Sequence, residues 1–109
     1  MVSSETSRLR LDALQLVPMA SGHLALNLTE QVGWDEFPDY GHQLLERLHG
    51  RATSATESVD MRLWDVVVDD QPLRLVYEDY PAMVSLESRD AEGDIVLRRV
   101  EQRLRSLRD

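Results

Sequence analysis

His42, Glu46 and His49 stand at i, i+4 and i+7. On a helix that spacing sets two imidazoles and a carboxylate on one face. All three side chains are legitimate zinc ligands, and a small metal-dependent enzyme is one reading of them. The spacing departs from the His-Glu-x-x-His arrangement of metalloproteases. The face also lies opposite the Leu44/Leu48 stripe, in solvent. The plainer expectation is an exposed polar face with no metal and no cofactor.

A second group of reactive types is acidic. Asp65, Asp69, Asp70, Glu78, Asp79 and Glu87 crowd the second half of the chain. Paired carboxylates do acid–base chemistry when one is buried and its pKa rises. Turn tips are wet, so turn chemistry is the expected role, and no residue is assigned as catalytic. Tyr77 and Tyr80 flank Glu78 and Asp79. Tyr80, ahead of Pro81, is placed as an exposed interface anchor beside the two acids. Trp34 precedes the first helix and can cover its entry. Trp64 sits on a strand with Val66. If those two point away from the helices, they form an open sheet face that binds a ligand or a second copy. The candidate binding residues are therefore Trp64, Val66, Glu78, Asp79 and Tyr80.

Composition removes whole classes of chemistry. The 109 residues contain no cysteine, which excludes disulfides, thiolate catalysis and cysteine-based zinc sites. All 12 basic residues are arginine, so there is no Schiff-base lysine and no P-loop lysine. Twenty acidic residues leave a net charge of −8, a surface that repels a phosphate backbone and argues against nucleic acid. The arginines from Arg98 to Arg108 are spread around their helix rather than aligned on one side. Asn27-Leu28-Thr29 matches a glycosylation acceptor only by pattern. Neither a Gly-rich phosphate loop nor a Gly-x-Ser-x-Gly elbow is present. No apolar run approaches the roughly 20 residues of a membrane span. Met1–Ser7 is polar and reads as a disordered tail without a signal peptide, so a cytoplasmic location is expected.

The elements that must position these groups follow from periodicity. Leu9, Leu11 and Ala13 alternate with Arg8, Arg10 and Asp12, which predicts a strand, with a bulge near Leu14. Pro18–Gly22 turns into a second strand carrying Leu24, Leu26 and Leu28. Asp35 is the expected cap of a helix whose stripe is Phe37, Tyr40, Gly41, Leu44, Leu45 and Leu48, with Gly50 as its stop. Arg51–Ser58 reads as a polar linker. Val59, Met61 and Leu63 begin a third strand, whose second phase, Trp64, Val66 and Val68, is also apolar. Leu73, Leu75 and Tyr77 make a fourth strand, and Val84 and Leu86 a short fifth. Asp90 caps the last helix, buried through Leu97, Val100, Leu104 and Leu107, and Gly93 within it marks a close backbone approach. The order β-β-α-β-β-β-α gives an α+β fold: an antiparallel sheet of about five strands with two helices packed on one face. Residues 8–109 are one domain.

Trp34-Asp35-Glu36-Phe37-Pro38, Leu75-Val76-Tyr77-Glu78-Asp79-Tyr80 and Leu86-Glu87 ahead of an Asp-Ala-Glu-Gly-Asp helix start together resemble a family of short uncharacterised bacterial proteins. That family spans nearly the whole chain and is a domain of unknown function. The resemblance implies a bacterial origin and a small α+β domain, and it transfers no functional residue. The expected function is a small non-enzymatic binding or regulatory module that works through protein–protein contacts, with a protein partner or a homodimer. Its acidic surface also suits an immunity- or antitoxin-type neutraliser of a basic protein.

Overall fold

The computed structural model describes residues 9–79 and 81–108. Tyr80 and the proposed tail, residues 1–7, lie outside the described residues. The chain runs β1 (Gln15–Pro18), β2 (Leu24–Thr29), α1 (Phe37–Leu48), β3 (Arg51–Glu57), β4 (Met61–Val68), β5 (Gln71–Asp79), β6 (Ala82–Glu87) and α2 (Ala91–Arg108). The strands form one sheet of order β1-β2-β6-β5-β4-β3, and every neighbouring pair is antiparallel. This is the α+β architecture expected, with six strands rather than five.

The extra strand is β3. Its segment, Arg-Ala-Thr-Ser-Ala-Thr-Glu, is exposed at all seven positions. An edge strand with neither face covered needs no apolar alternation, so the periodicity that marks other strands is missing. The first strand also moves. Leu9, Leu11 and Leu14 are buried, but they belong to an irregular segment laid over the core, and pairing begins only at Gln15.

The stripe of α1 packs as its spacing predicts: Phe37, Tyr40, Gly41, Leu44, Leu45 and Leu48 are all buried. Its ends differ. Glu36, not Asp35, is the N-cap and makes no side-chain cap bond to the helix. Instead its Oε1 accepts from the Gly33 N–H at 2.9 Å. At the other end His49 takes the left-handed conformation (φ 56°). Gly50 serves closeness instead, because a Cβ there would stand 2.8 Å from the Val67 carbonyl oxygen. In α2, Asp90 caps as expected, its Oδ1 accepting from the Gly93 N–H at 2.8 Å. A Cβ on Gly93 would lie 2.6 Å from the Ser88 hydroxyl, which is the close approach that excludes a side chain. Val96 joins Leu97, Val100 and Leu104 in the buried stripe, whereas Leu107 is half exposed.

Both helices share one side of the sheet with a single core, built from Leu26, Leu28, Trp64, Val66, Val68, Leu73, Leu75, Tyr77, Val84 and Leu86 against the two helical stripes. Trp64 and Val66 therefore point toward the helices, only 7% and 1% exposed. This corrects their placement on an open face. The ring of Phe37 meets Trp64 edge-on at 5.1 Å, and Gly41 sits directly over the indole, so α1 has a slot shaped for Trp64. Val59, expected within the third strand, is 97% exposed in the turn before β4. Trp34 does cover the helix entry, edge-on to Tyr77 and beneath the Arg62 guanidinium. Among the described residues no helix is long and apolar enough to cross a membrane.

Candidate functional site: the open face of the sheet

Residues paired directly across antiparallel strands share a face, so the registers define the side away from the helices. One row runs Gln15, Asn27, Ser85, Val76, Leu63 and Thr56. The next runs Val17, Ala25, Glu87, Arg74, Asp65 and Ser54. Met83, Glu78 and Met61 continue the face at one end, and Pro72, Val67 and Arg51 at the other. Ala25, Val76 and Ser85 are buried among longer neighbours, while Met61, Leu63, Val67 and Met83 are half-buried. An antiparallel sheet ordinarily turns polar residues to its wet side. This one keeps a band of valine, leucine and methionine beside a row of charges.

That charged row is the most structured part of the face. Asp65 is held from three sides. The Ser54 hydroxyl donates to its Oδ2 at 2.7 Å, Arg74 Nε donates to Oδ1 at 3.3 Å, and an Arg89 terminal nitrogen lies 3.8 Å from Oδ1. The Ser54 bond first, and then the two guanidinium groups, hold its carboxyl below the usual range. Glu87 stands beside Arg74 in the same row. Burial raises its pKa, and the negative charge of Glu78 adds to the rise. Among the described residues Glu87 makes no hydrogen bond and no close ion pair. It is a half-buried carboxyl with one cationic neighbour and no bonded partner.

A shallow cleft of about 420 Å³ opens at this corner, lined by Met19, Ser21, His23, Arg74, Glu87 and Arg89 among others. His23 belongs to the β1–β2 turn. Its Nδ1 lies 3.0 Å from Asp94 Oδ2, and the other Asp94 oxygen accepts from the Leu24 N–H at 2.9 Å. The His23 bond and then the Leu24 bond depress the Asp94 pKa to about 2. Asp94, in the first turn of α2, thus ties that helix to the β1–β2 hairpin and orients the imidazole through one nitrogen. A second hollow, of about 380 Å³, lies at the other end of β1 and β2. Asp12, Gln15, Asn27, Glu30 and Met83 line it.

The other candidate residues are dispersed. His42 and Glu46 are exposed on α1, and His42 lies against Trp64 with ring centroids 5.0 Å apart. His49, also exposed, ends the helix with a left-handed backbone. Among the described residues no group of three or more histidine, aspartate or glutamate side chains is arranged to hold a metal. Glu78 and Asp79 point to opposite sides of the sheet. Glu78 belongs to the open face between Met61 and Met83, while Asp79 accepts from the Tyr77 hydroxyl at 2.7 Å. Buried and bonded to Asp79, Tyr77 has its phenol pKa pushed up to about 12.

The gathering of His23, Arg74, Glu87 and Arg89 was not foreseen. Glu87 figured only as one acid among six, and a lone histidine in a turn carries no spacing signal. The family model described as Protein of unknown function (DUF3630) matches residues 14–102. The chain belongs to that family. No curated protein and no solved structure matches it. The DUF3630 match takes in all six strands and the first two thirds of α2. Every residue of the charged row and of the cleft falls within it, as expected of a domain of unknown function that spans nearly the whole chain.

Proposed function

We propose that this chain is a small cytoplasmic, non-enzymatic binding module whose partner protein sits on the open face of the sheet. One observation carries the reading. Both helices cover the same side of the sheet, leaving the other side with an apolar band, Met61, Leu63, Val67 and Met83, beside the Ser54–Asp65–Arg74–Glu87 row. The charged row crosses that band, with Met61, Leu63 and Met83 on one side and Val67 on the other, and exposed apolar side chains interleaved with paired charges are what a protein interface presents. The chemistry of the face supports binding more than turnover. Arg74 is bonded to Asp65, and the cleft beside it is open rather than enclosed, whereas a substrate site buries most of its ligand.

A paired substitution tests the reading. Met83→Glu alters the open face, and Arg98→Glu alters the exposed side of α2. Tagged wild-type and variant proteins with matched melting curves are used to capture partners from a host lysate. Loss of a specific partner with Met83→Glu but not with Arg98→Glu is the expected result. Equal recovery by both variants would place the interface elsewhere. A neutraliser of a basic protein is the second reading, supported by the net charge of −8. It differs in requiring capture to weaken sharply with salt.

A further inference from the structure

The charges of the open face point to a specific occupant. Three arginines, Arg51, Arg74 and Arg89, stand there against three carboxylates, Asp65, Glu78 and Glu87. The face is therefore balanced, although the chain as a whole carries −8. Asp12 and Glu30 reach only its rim. Two copies of a strongly acidic protein repel each other over most approaches, and this face is where they can meet without like-charge contact.

The balance is also unevenly distributed, in a way that a two-fold axis resolves. Asp65 draws two guanidinium groups, and the second, Arg89, is half exposed at 3.8 Å. Two residues earlier in the chain, Glu87 has no bonded partner among the described residues. One copy thus offers a loosely held cation beside an unmatched carboxylate. In an isologous dimer each surface patch meets its own copy, so residue i contacts j and j contacts i. Arg89 of one copy then reaches Glu87 of the other, twice. The six strands hold 40 residues, which at about 3.3 Å per residue and about 4.8 Å between strands give the face a footprint of roughly 630 Å². That is at the low end of the roughly 600–1,000 Å² each partner contributes to a stable interface.

We infer that the partner of this face is a second copy of the same chain, joined sheet to sheet about a two-fold axis that crosses Arg89 with Glu87. The inference rests on the reading of the open face as a protein-binding surface and names its occupant. The experiment is sedimentation equilibrium on the full chain, with Arg89→Glu, Glu87→Arg and an equimolar mixture of the two. Arg89→Glu sets four carboxylates against one another at the axis, and Glu87→Arg sets four guanidinium groups there. Each should raise the dimer dissociation constant by about tenfold or more. The mixture should recover dimers, because a heterodimer of the two variants restores both opposite-charge pairs. That recovery also shows that the variants are folded. Arg89 is exposed, so Arg89→Glu alone decides the matter if Glu87→Arg does not fold. A dimer indifferent to Arg89→Glu overturns the inference. So does a wild-type chain that stays monomeric at high concentration. If Met83→Glu still abolishes capture of a foreign protein in that case, the binding surface stands and only its occupant was misassigned.

Discussion

At the scale of single residues, the structure is most exacting where small or charged groups meet the core. Gly41 is the sharpest case. A Cβ there would lie 2.5 Å from Cζ3 of Trp64 and 2.9 Å from Cη2, and Phe37 and His42 hold the indole from either side. Gly41→Ala should therefore destabilise by roughly 1–3 kcal/mol, the usual cost of overpacking, although alanine is the better helix former. Urea melts would measure it, and a change under about half a kcal/mol would mean that the indole has room to retreat. Asp94 gives a pH-dependent test. Its pKa falls from 3.8 unfolded to about 2 folded. A depressed carboxylate contributes stability that is complete above its unfolded pKa and lost as pH falls through the folded one. Wild-type stability should thus decline between pH 4 and pH 2, and Asp94→Asn should flatten that part of the profile. Equal slopes for the two proteins would mean that the Asp94 link to His23 and Leu24 does not hold in solution.

At the scale of elements, the β4–β5 turn shows local strain accepted for a distant contact. Asp69 and Asp70 both adopt left-handed backbones, with φ of 53° and 62°, the geometry that favours glycine in a two-residue hairpin. Asp69 is kept there by its work: its Oδ2 receives Arg99 at 3.2 Å and Arg103 at 3.3 Å, fastening α2 to the hairpin tip. Asp70 has no such contact among the described residues. Asp70→Gly should stabilise by about 0.5–1 kcal/mol, and Asp69→Gly should not, since it surrenders both arginine bonds. Thermal melts of the two variants in parallel would separate strain relief from contact loss. Elements were legible in the sequence where burial is one-sided. The stripes from Phe37 to Leu48 and from Leu97 to Leu104 repeat at helical spacing because one side of each helix is wet. Legibility failed where that contrast vanishes. β3 is wet on both sides, so Arg51–Glu57 looked like a linker. β4 is apolar in both phases, so its pattern did not choose between Trp64 and Leu63 for the core. The core took the indole of Trp64, opposite which α1 offers Gly41. The charged row was illegible for a different reason. Asp65, Arg74 and Glu87 become neighbours only through the registers of three strands, and Ser54 joins them only past a bulge in β3.

At the scale of the whole molecule, the two helices and five of the six strands pack into one core cluster, with β3 paired at its edge. Neither half of the chain retains a closed apolar interior without the other. Unfolding should accordingly be a single cooperative transition, with an enthalpy near 75 kcal/mol at the midpoint for 109 residues at about 0.7 kcal/mol each. Near-ultraviolet dichroism reports Trp64 packing, and far-ultraviolet dichroism reports backbone structure. The two should trace one curve. Separate midpoints would show that the β1–β2 hairpin or α2 detaches before the rest.

The strand order has a kinetic consequence. β3, β4, β5 and β6 form a meander in which each strand pairs with its successor, and β1 and β2 form a hairpin. Both are assembled from near neighbours at little loop-closure cost. One junction is different. Ala25 must find Glu87, and Leu26 must find Leu86, across some sixty intervening residues, a closure that costs roughly 3–4 kcal/mol of chain entropy. The search for that seam sets the pace of refolding, because non-local pairing is the slow step in proteins of mixed topology. The cleft between His23 and Glu87 lies along the same seam, so it comes into being only when the slowest part of the chain has closed.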